Sequence, residues 1–243
     1  MMSNTQQKMK VEIWSDIMCP FCYIGKRKFE SAMAGFGDAA GVEVEWHSFQ
    51  LDPSLQSEPD KNLYQYLSER KGISYQQSVD MHKQVTDMAK SAGLEYNFDK
   101  AVVSNSFDAH RLIQLAKTKG LGDAAEERLF YAYFTEGKNV SDHVVLKELG
   151  KDIGLSENDL NELFNSNAYS KEVQHDIAEA SQIGVRGVPF FVFNRKYAVS
   201  GAQPPEVFVQ ALQQSFEDWK KDHPAPLQEI ATGDTCTTDG NCA

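Results

Sequence analysis

Two cysteines near the start of the chain have the spacing of a redox-active pair. Cys19 and Cys22 are separated by Pro20 and Phe21, and they follow an apolar-alternating segment that ends at Ser15. Proline is favoured at the first position of a helix, where its missing N–H costs no hydrogen bond. The pattern therefore predicts a helix that begins at Pro20, with Cys19 as its N-cap and Cys22 one turn inside. A cysteine pair between a strand and a helix is typical of thiol–disulfide exchange.

The predicted position of each sulfur indicates its role. At an N-cap, Cys19 faces unpaired backbone N–H groups and the positive end of the helix dipole, and both stabilise a thiolate. We therefore expect Cys19 to be the nucleophile and Cys22 to resolve the mixed disulfide. The alternatives are half of a zinc site and two unreactive structural thiols. Zinc would require further ligands nearby, and His47 has no partner at ligand spacing, so no metal is expected.

Composition excludes several functional classes. The formal charge of −11 over 243 residues argues against nucleic acid or an anionic membrane surface as a partner. No segment approaches the roughly 18 apolar residues of a membrane span, and the first ten residues lack the apolar core of a secretory signal. We therefore expect a cytoplasmic protein. In a reducing compartment, two close cysteine pairs, Cys19/Cys22 and Cys236/Cys242, indicate catalysis or sensing more often than structural disulfides.

The elements around the first cysteine pair predict an α/β fold with an inserted subdomain. Two alternating segments, 11–15 and 42–49, flank the cysteine helix and predict a βαβ unit with parallel strands. Residues 188–200 predict a β-hairpin, and a closing helix follows. The predicted division is a discontinuous α/β domain at 10–58 and 179–222, an all-helical insertion at 59–178, and a flexible C-terminal tail at 223–243.

Three motifs in this order of elements resemble the thioredoxin-fold disulfide oxidoreductases of the DsbA type. They are Asp16-x-x-Cys19-Pro20-x-Cys22, the segment 105–112, and Gly-Val-Arg-Gly-Val-Pro at 184–189. The match covers about residues 10–222 and is similar, within that group, to the cytosolic FrnE subfamily. It implies a thioredoxin-like fold with a large helical insertion.

The resemblance also implies a substrate site. It implies a cis Val188–Pro189 bond beside Cys19, where an extended substrate chain pairs with Val188 as an added strand. Pro20 and Phe21 would complete this surface. A trans proline that starts a strand is the alternative.

The predicted function is that of a cytosolic thiol–disulfide oxidoreductase or isomerase with protein substrates. Phe21 stands where strongly oxidising DsbA proteins usually carry histidine, so we expect a less oxidising pair. FrnE-type proteins imply that Cys236 and Cys242 exchange electrons with the active pair. A local disulfide or a metal-binding segment is the alternative for that second pair.

A second functional class remains open in the sequence. The fold also resembles kappa-class glutathione transferases and 2-hydroxychromene-2-carboxylate isomerases, which act on small molecules and typically carry serine in place of the active cysteine. The two cysteines present argue against that class, and a chaperone role is a weaker third option. Glutathione, as reductant or co-substrate, is the one cofactor considered, and the oligomeric state is not set. Asn105, Arg111 and Arg186 are candidate groove residues, and the alternatives are an N-cap for Asn105 and a solvated face for both arginines.

Overall fold

A four-stranded mixed sheet forms the centre of the fold in the computed structural model, which describes residues 7–224. Strand β1 (Met9–Ser15) pairs in parallel with β2 (Val42–Ser48) and antiparallel with β5 (Phe190–Phe193), which pairs antiparallel with β6 (Tyr197–Ser200). Every residue of β1 except Lys10 is buried. The predicted parallel βαβ unit and the hairpin are confirmed, and the central strand leads directly to the cysteine pair.

Two helices cover one face of this sheet. Helix α1 (Pro20–Ala34) follows the cysteine turn, and α9 (Pro205–Asp222) packs against it and against β5 and β6. Between them lies an aromatic cluster, in which the Phe191 ring centroid is 5.5 Å from that of Phe29 and 4.6 Å from that of Phe208. This apolar core fixes the angle at which α1 leaves the sheet.

The segment between β2 and β5 is mainly helical. Its helices are α2 (Leu63–Lys71), α3 (Tyr75–Ser91), α4 (Phe107–Thr118), α5 (Gly122–Tyr131), α6 (His143–Asp152), α7 (Glu157–Phe164) and α8 (Ser170–Gln182), with a π-helical turn at Ala132–Glu136. A separate short 3₁₀ turn at Ala39–Gly41 lies before β2. Two short strands, β3 (Glu58–Asn62) and β4 (Val102–Val103), form an antiparallel pair that the expectation of an all-helical insertion missed. Because β4 has two residues and β3 consists of Glu, Pro, Asp, Lys and Asn, neither shows an apolar alternation.

The helical segment packs directly on the cysteine helix. The Tyr23 ring of α1 stacks on Phe130 of α5 at 4.9 Å, and Tyr96 stacks on Phe134 at 4.5 Å. The Tyr96 hydroxyl donates a hydrogen bond to Pro20 O at 2.8 Å. The insertion therefore forms one wall of the surface around Cys19. Within residues 7–224, none of the helices combines the length and the apolar composition that crossing a membrane requires.

Candidate active site

Cys19 lies at the N-cap of α1 with an extended backbone, and Pro20 is the first helical residue. The Cys19 side chain makes no capping hydrogen bond to α1, contrary to the simplest expectation for a sulfur at this position. Its thiol donates instead to Val188 O, with 3.4 Å between sulfur and oxygen. The Cys19 sulfur thus contacts the backbone of the loop that precedes β5.

Cys22 lies behind Cys19 and is almost fully buried, and both are free thiols. Burial, a hydrogen bond with Cys19 and the negative charge of Cys19 raise the pKa of Cys22 well above its usual value. The Asp16 N–H and the Ser15 hydroxyl act on it in the opposite direction. Cys22 therefore keeps its proton at neutral pH.

The loop opposite the cysteines contains a cis Val188–Pro189 peptide bond. Pro189 is buried against α1 at Gly25, where an added Cβ would lie 2.9 Å from Pro189 Cγ. Gly201 N donates to Pro189 O at 2.8 Å and joins the loop to the end of β6. A glycine at position 25 therefore allows the close approach that brings Val188 O to the Cys19 sulfur.

A cavity of about 410 Å³ opens beside Cys19, between the cysteine turn, the loop after β2 and helices α2 and α3. Phe21 and Leu51 lie at its edge with 40% and 44% of their surfaces exposed. Apolar side chains line its interior, among them Met18, Leu63, Leu67, Met81, Val85 and Phe98. Its size and lining fit an apolar side chain.

A polar cluster on α2 holds the outer wall of this cavity. Arg70 pairs with Asp52 and donates to Leu51 O at 2.9 Å and to the Tyr66 hydroxyl at 2.7 Å. The Tyr66 hydroxyl donates in turn to Asp52 Oδ2 at 2.9 Å. The sequence offers no signal for this cluster, because Asp52 and Arg70 belong to different elements and have no recognisable spacing.

Asp16 connects the cysteine turn to its surroundings. The Asp16 carboxylate accepts hydrogen bonds from Met18 N at 3.2 Å and from Leu51 N at 2.7 Å. His110 of α4 approaches it, with 3.5 Å between His110 Nε2 and Asp16 Oδ1. One carboxylate therefore joins the active-site turn, the cavity wall and α4.

Asn105 does not line the cavity, contrary to its expected role in the groove. Its side-chain oxygen accepts from Phe107 N at 2.8 Å and from Gln50 Nε2 at 3.1 Å, and its amide donates to Leu55 O at 2.8 Å. Ser106 is the N-cap residue of α4. Asn105 therefore fastens the start of α4 to the loop after β2.

Arg111, the second candidate groove residue, does not line the cavity beside Cys19 either. Its guanidinium is buried and donates to Leu163 O at 2.6 Å, Ser166 O at 2.6 Å and Ala168 O at 2.8 Å, and it pairs with Asp108 at 2.7 Å. These carbonyl groups belong to the last turn of α7 and to the connection between α7 and α8. Arg111 therefore stabilises the helical segment.

The remaining predicted residues lie outside the cavity or beyond the described chain. Arg186 is exposed and does not line the cavity beside Cys19. Cys236 and Cys242 lie outside the described residues 7–224.

Two groups of side chains on β1, β2 and α8 have metal-ligand geometry. Their members are Glu12, Glu45 and His47 in one group and His47, Asp176 and Glu179 in the other, with ligand atoms within 4.8 Å of one another. Arg195 pairs with Glu12 and Glu179, and Lys10 and Lys117 pair with Glu45. A metal ion would have to displace these cations, so we assign these groups to the stability of the fold.

Comparison with known proteins agrees with this architecture. Residues 10–213 match the model of the DSBA-like thioredoxin domain family. A probable DsbA oxidoreductase from Streptomyces coelicolor is 38% identical with a TM-score of 0.81, covering 97% of this chain and 98% of that one. The uncharacterized protein YwbO of Bacillus subtilis (strain 168) is 29% identical over 213 residues, which are 87% of this chain and 98% of that protein. The cytosolic disulfide reductase DsbM of Pseudomonas aeruginosa shares the fold, at 18% identity and a TM-score of 0.61 over 86% of this chain and 98% of that one. The chain therefore belongs to the DSBA-like thioredoxin domain family.

Proposed function

We propose that the protein is a cytosolic thiol–disulfide oxidoreductase of the FrnE subfamily, which exchanges disulfides with polypeptides through Cys19 and Cys22. One observation carries the proposal. The Cys19 sulfur begins a helix, contacts Val188 O of the cis-proline loop, and has a buried, protonated partner thiol at Cys22. This arrangement supplies a nucleophile, a place for the substrate backbone and a resolving group in one site.

The reductive direction requires two displacements. The Cys19 thiolate attacks one sulfur of a substrate disulfide, forms a mixed disulfide and releases the other substrate sulfur as a thiolate, which takes up a proton. Cys22 then loses its proton and attacks the Cys19 sulfur. This step forms the Cys19–Cys22 disulfide and releases the second substrate thiolate, so two electrons pass from the protein to the substrate. The reverse sequence oxidises a substrate dithiol.

Two surfaces near Cys19 support a polypeptide as the substrate. The main chain at Val188 suits strand pairing with an extended segment, because Pro189 removes the next N–H donor from the loop. The apolar cavity suits a large side chain close to the substrate cysteine. Phe21 and Leu51 at the cavity edge add apolar contact area.

Phe21, the second of the two residues between the cysteines, supports the reductive or isomerising direction. Phe21 carries no charge and donates no hydrogen bond, so it does not stabilise the reduced form as a cationic ring would. We expect a reduction potential between about −270 and −180 mV, more negative than the value of about −120 mV of strong oxidants. Equilibration of Cys19–Cys22 with glutathione buffers measures this potential, and a value near −120 mV would contradict the reductive assignment.

Insulin reduction and the refolding of scrambled ribonuclease test the proposed activity. The wild-type protein should accelerate both reactions, and Cys19→Ala should return both rates to the uncatalysed level because no nucleophile remains. Cys22→Ser should retain the first displacement and accumulate mixed disulfides. A wild-type protein inactive in both assays, but active in glutathione addition to a small electrophile, would favour the transferase alternative.

Cys236 and Cys242 enter the proposal as a second redox pair that returns electrons to the active site, with glutathione as the other candidate reductant. In a Cys22→Ser background, a Cys19–Cys236 or Cys19–Cys242 mixed disulfide should be found by mass spectrometry after proteolysis. Its absence in every redox buffer would remove the second pair from the mechanism.

A further inference from the structure

Asp16 is a buried carboxylate in the turn that carries the cysteine pair. Only 1% of its surface is exposed, and it borders the same cavity as Cys19. Its own carbonyl oxygen accepts a hydrogen bond from Cys19 N at 2.9 Å, and its side chain folds back to Met18 N. The carboxylate is therefore held against the turn, three residues before the reactive sulfur.

The ionic surroundings of Asp16 are sparse. Among the ion pairs of residues 7–224, Asp16 has no lysine or arginine partner, and its single titratable contact is His110 Nε2 at 3.5 Å. His110 is fully buried, and neither of its ring nitrogens makes a hydrogen bond to another described residue. The Asp16 carboxylate is thus held by the N–H groups of Met18 and Leu51 and not by a lysine or arginine of the described chain.

The charge of Asp16 acts on other buried groups nearby. Burial raises the pKa of Glu126 to about 8, and the charges of Asp123 and Asp16 act in the same direction. Burial raises the pKa of Tyr133 as well, and the charge of Asp16 adds to that effect. The Asp16 carboxylate lies in the same turn as Cys19 and borders the same cavity, in an interior where charges are poorly screened.

We propose that Asp16 makes the Cys19–Cys22 pair more reducing, because its buried charge opposes a thiolate at Cys19 and so destabilises the dithiol form relative to the disulfide. This inference rests on the proposed function and assigns the redox direction of that site to a residue outside the Cys-x-x-Cys segment. The relevant equilibrium is the dithiol protein plus oxidised glutathione giving the Cys19–Cys22 disulfide plus two molecules of reduced glutathione. Two electrons pass to the glutathione sulfurs, and two protons move from the protein thiols to the released glutathione.

Four variants of the full chain, compared in glutathione buffers at one pH, test the proposal. Asp16→Asn and Asp16→Ser remove the charge and keep a group able to bond with the turn, whereas Asp16→Glu keeps the charge and disturbs the packing. Glu12→Gln is the matched control, since Glu12 is also a buried carboxylate of the β1 region but has Arg195 as a partner.

We expect both neutral variants to shift the equilibrium constant about tenfold towards the reduced protein, which equals about 30 mV for this two-electron couple. The equilibrium constants of Asp16→Glu and Glu12→Gln should stay within about threefold of the wild-type value. The rate of Cys19 alkylation at neutral pH should rise in the two neutral variants, because a larger fraction of Cys19 is thiolate.

Different failures have different meanings. If the wild-type pair does not exchange with glutathione, the proposed function fails. If the wild type exchanges and both neutral variants keep its equilibrium constant, only the role of Asp16 is overturned. If the equilibrium constant of Asp16→Glu shifts as far as that of Asp16→Asn, Asp16 acts through the shape of the turn and the electrostatic proposal is wrong.

Discussion

Two groups of buried charged or titratable side chains lie near β1, and they are compensated differently. In the lateral group, around Glu12, His47 and Asp176, each side chain has an ionic partner within 4 Å. In the group behind the active site, Glu126 has no ion pair within residues 7–224 and neither of its oxygens accepts a hydrogen bond there. His110 lies 3.5 Å from Asp16, but neither of its ring nitrogens makes a hydrogen bond. Buried charges are expensive unless paired. The lateral group therefore serves stability, whereas the group behind the cysteines retains a cost that a function must explain.

The largest expected effect comes from removing a paired carboxylate. Asp176→Ala takes away the acceptor of hydrogen bonds from Ser48 N at 2.8 Å and Gln114 Nε2 at 2.6 Å and the partner of His47 at 3.0 Å. We expect the free energy of unfolding to fall by about 3–5 kcal/mol, because these buried groups are left unpaired. Denaturant unfolding measures the loss, and the exposed Asp80→Ala should cost almost nothing. Insulin reduction per folded molecule should not change, and a selective loss of activity would place Asp176 in the active site instead.

Glu126→Gln should raise the free energy of unfolding at neutral pH, whereas Asp176→Ala lowers it. The pKa of Glu126 is raised by burial from 4.5 to about 8, so the folded protein holds a proton that the unfolded chain releases between these values. Stability of the wild type should therefore fall as the pH rises through this window, by roughly 3 kcal/mol at neutral pH.

Glutamine mimics the protonated acid, so Glu126→Gln should be more stable than the wild type at neutral pH and lose this part of the pH dependence. Unfolding curves between pH 4 and pH 8 measure the difference, and the exposed Glu148→Gln is the control. Equal pH dependence in Glu126→Gln and wild type would show that Glu126 has an unrecognised ionic partner.

The smallest expected effect is the contribution of His47 to the pH dependence of the free energy of unfolding. Burial acts to lower the pKa of His47, but hydrogen bonds to Asp176 and Glu12 and the charge of Asp176 raise it overall from 6.5. The stabilisation is fully present below the unfolded value and is lost as the pH rises through the folded value.

We expect the free energy of unfolding to fall by about 1 kcal/mol over this pH range, comparable to one net hydrogen bond. This fall should be absent in His47→Gln. Unfolding at several pH values above 6 measures it, with the exposed His175→Gln as the control. If stability rose over this range in the wild type alone, His47 would be neutral in the folded protein, and the lateral group would be less well compensated than described here.

Local patterns were sufficient to predict the centre of the site. The N-cap position of Cys19 and the start of α1 at Pro20 follow from a few consecutive residues, and the apolar alternation of β1 and β2 predicts their parallel pairing. Only the family resemblance indicated that Val188, which accepts the bond from Cys19, lies beside it, because 169 residues separate the two. No local pattern reports such a contact.

Long-range contacts also explain why Asn105 and Arg111 lie outside the cavity beside Cys19. The arginine is buried because carbonyl groups 52 to 57 residues further along the chain satisfy its donors. A sequence pattern shows a basic residue on a helix but not the carbonyl groups that surround it. Asp16 was recognisable as part of a motif, yet its burial and its lack of a lysine or arginine partner within residues 7–224 required the structure.

Phe21 has a practical consequence for protein engineering. Because its ring projects from the first turn of α1 with 40% of its surface exposed, other side chains can replace it without rearranging the interior. If the proposed function holds, we expect a library at this single position to give variants graded in oxidising strength on an unchanged scaffold. Such a series could be matched to the disulfide content of a recombinant product during its production.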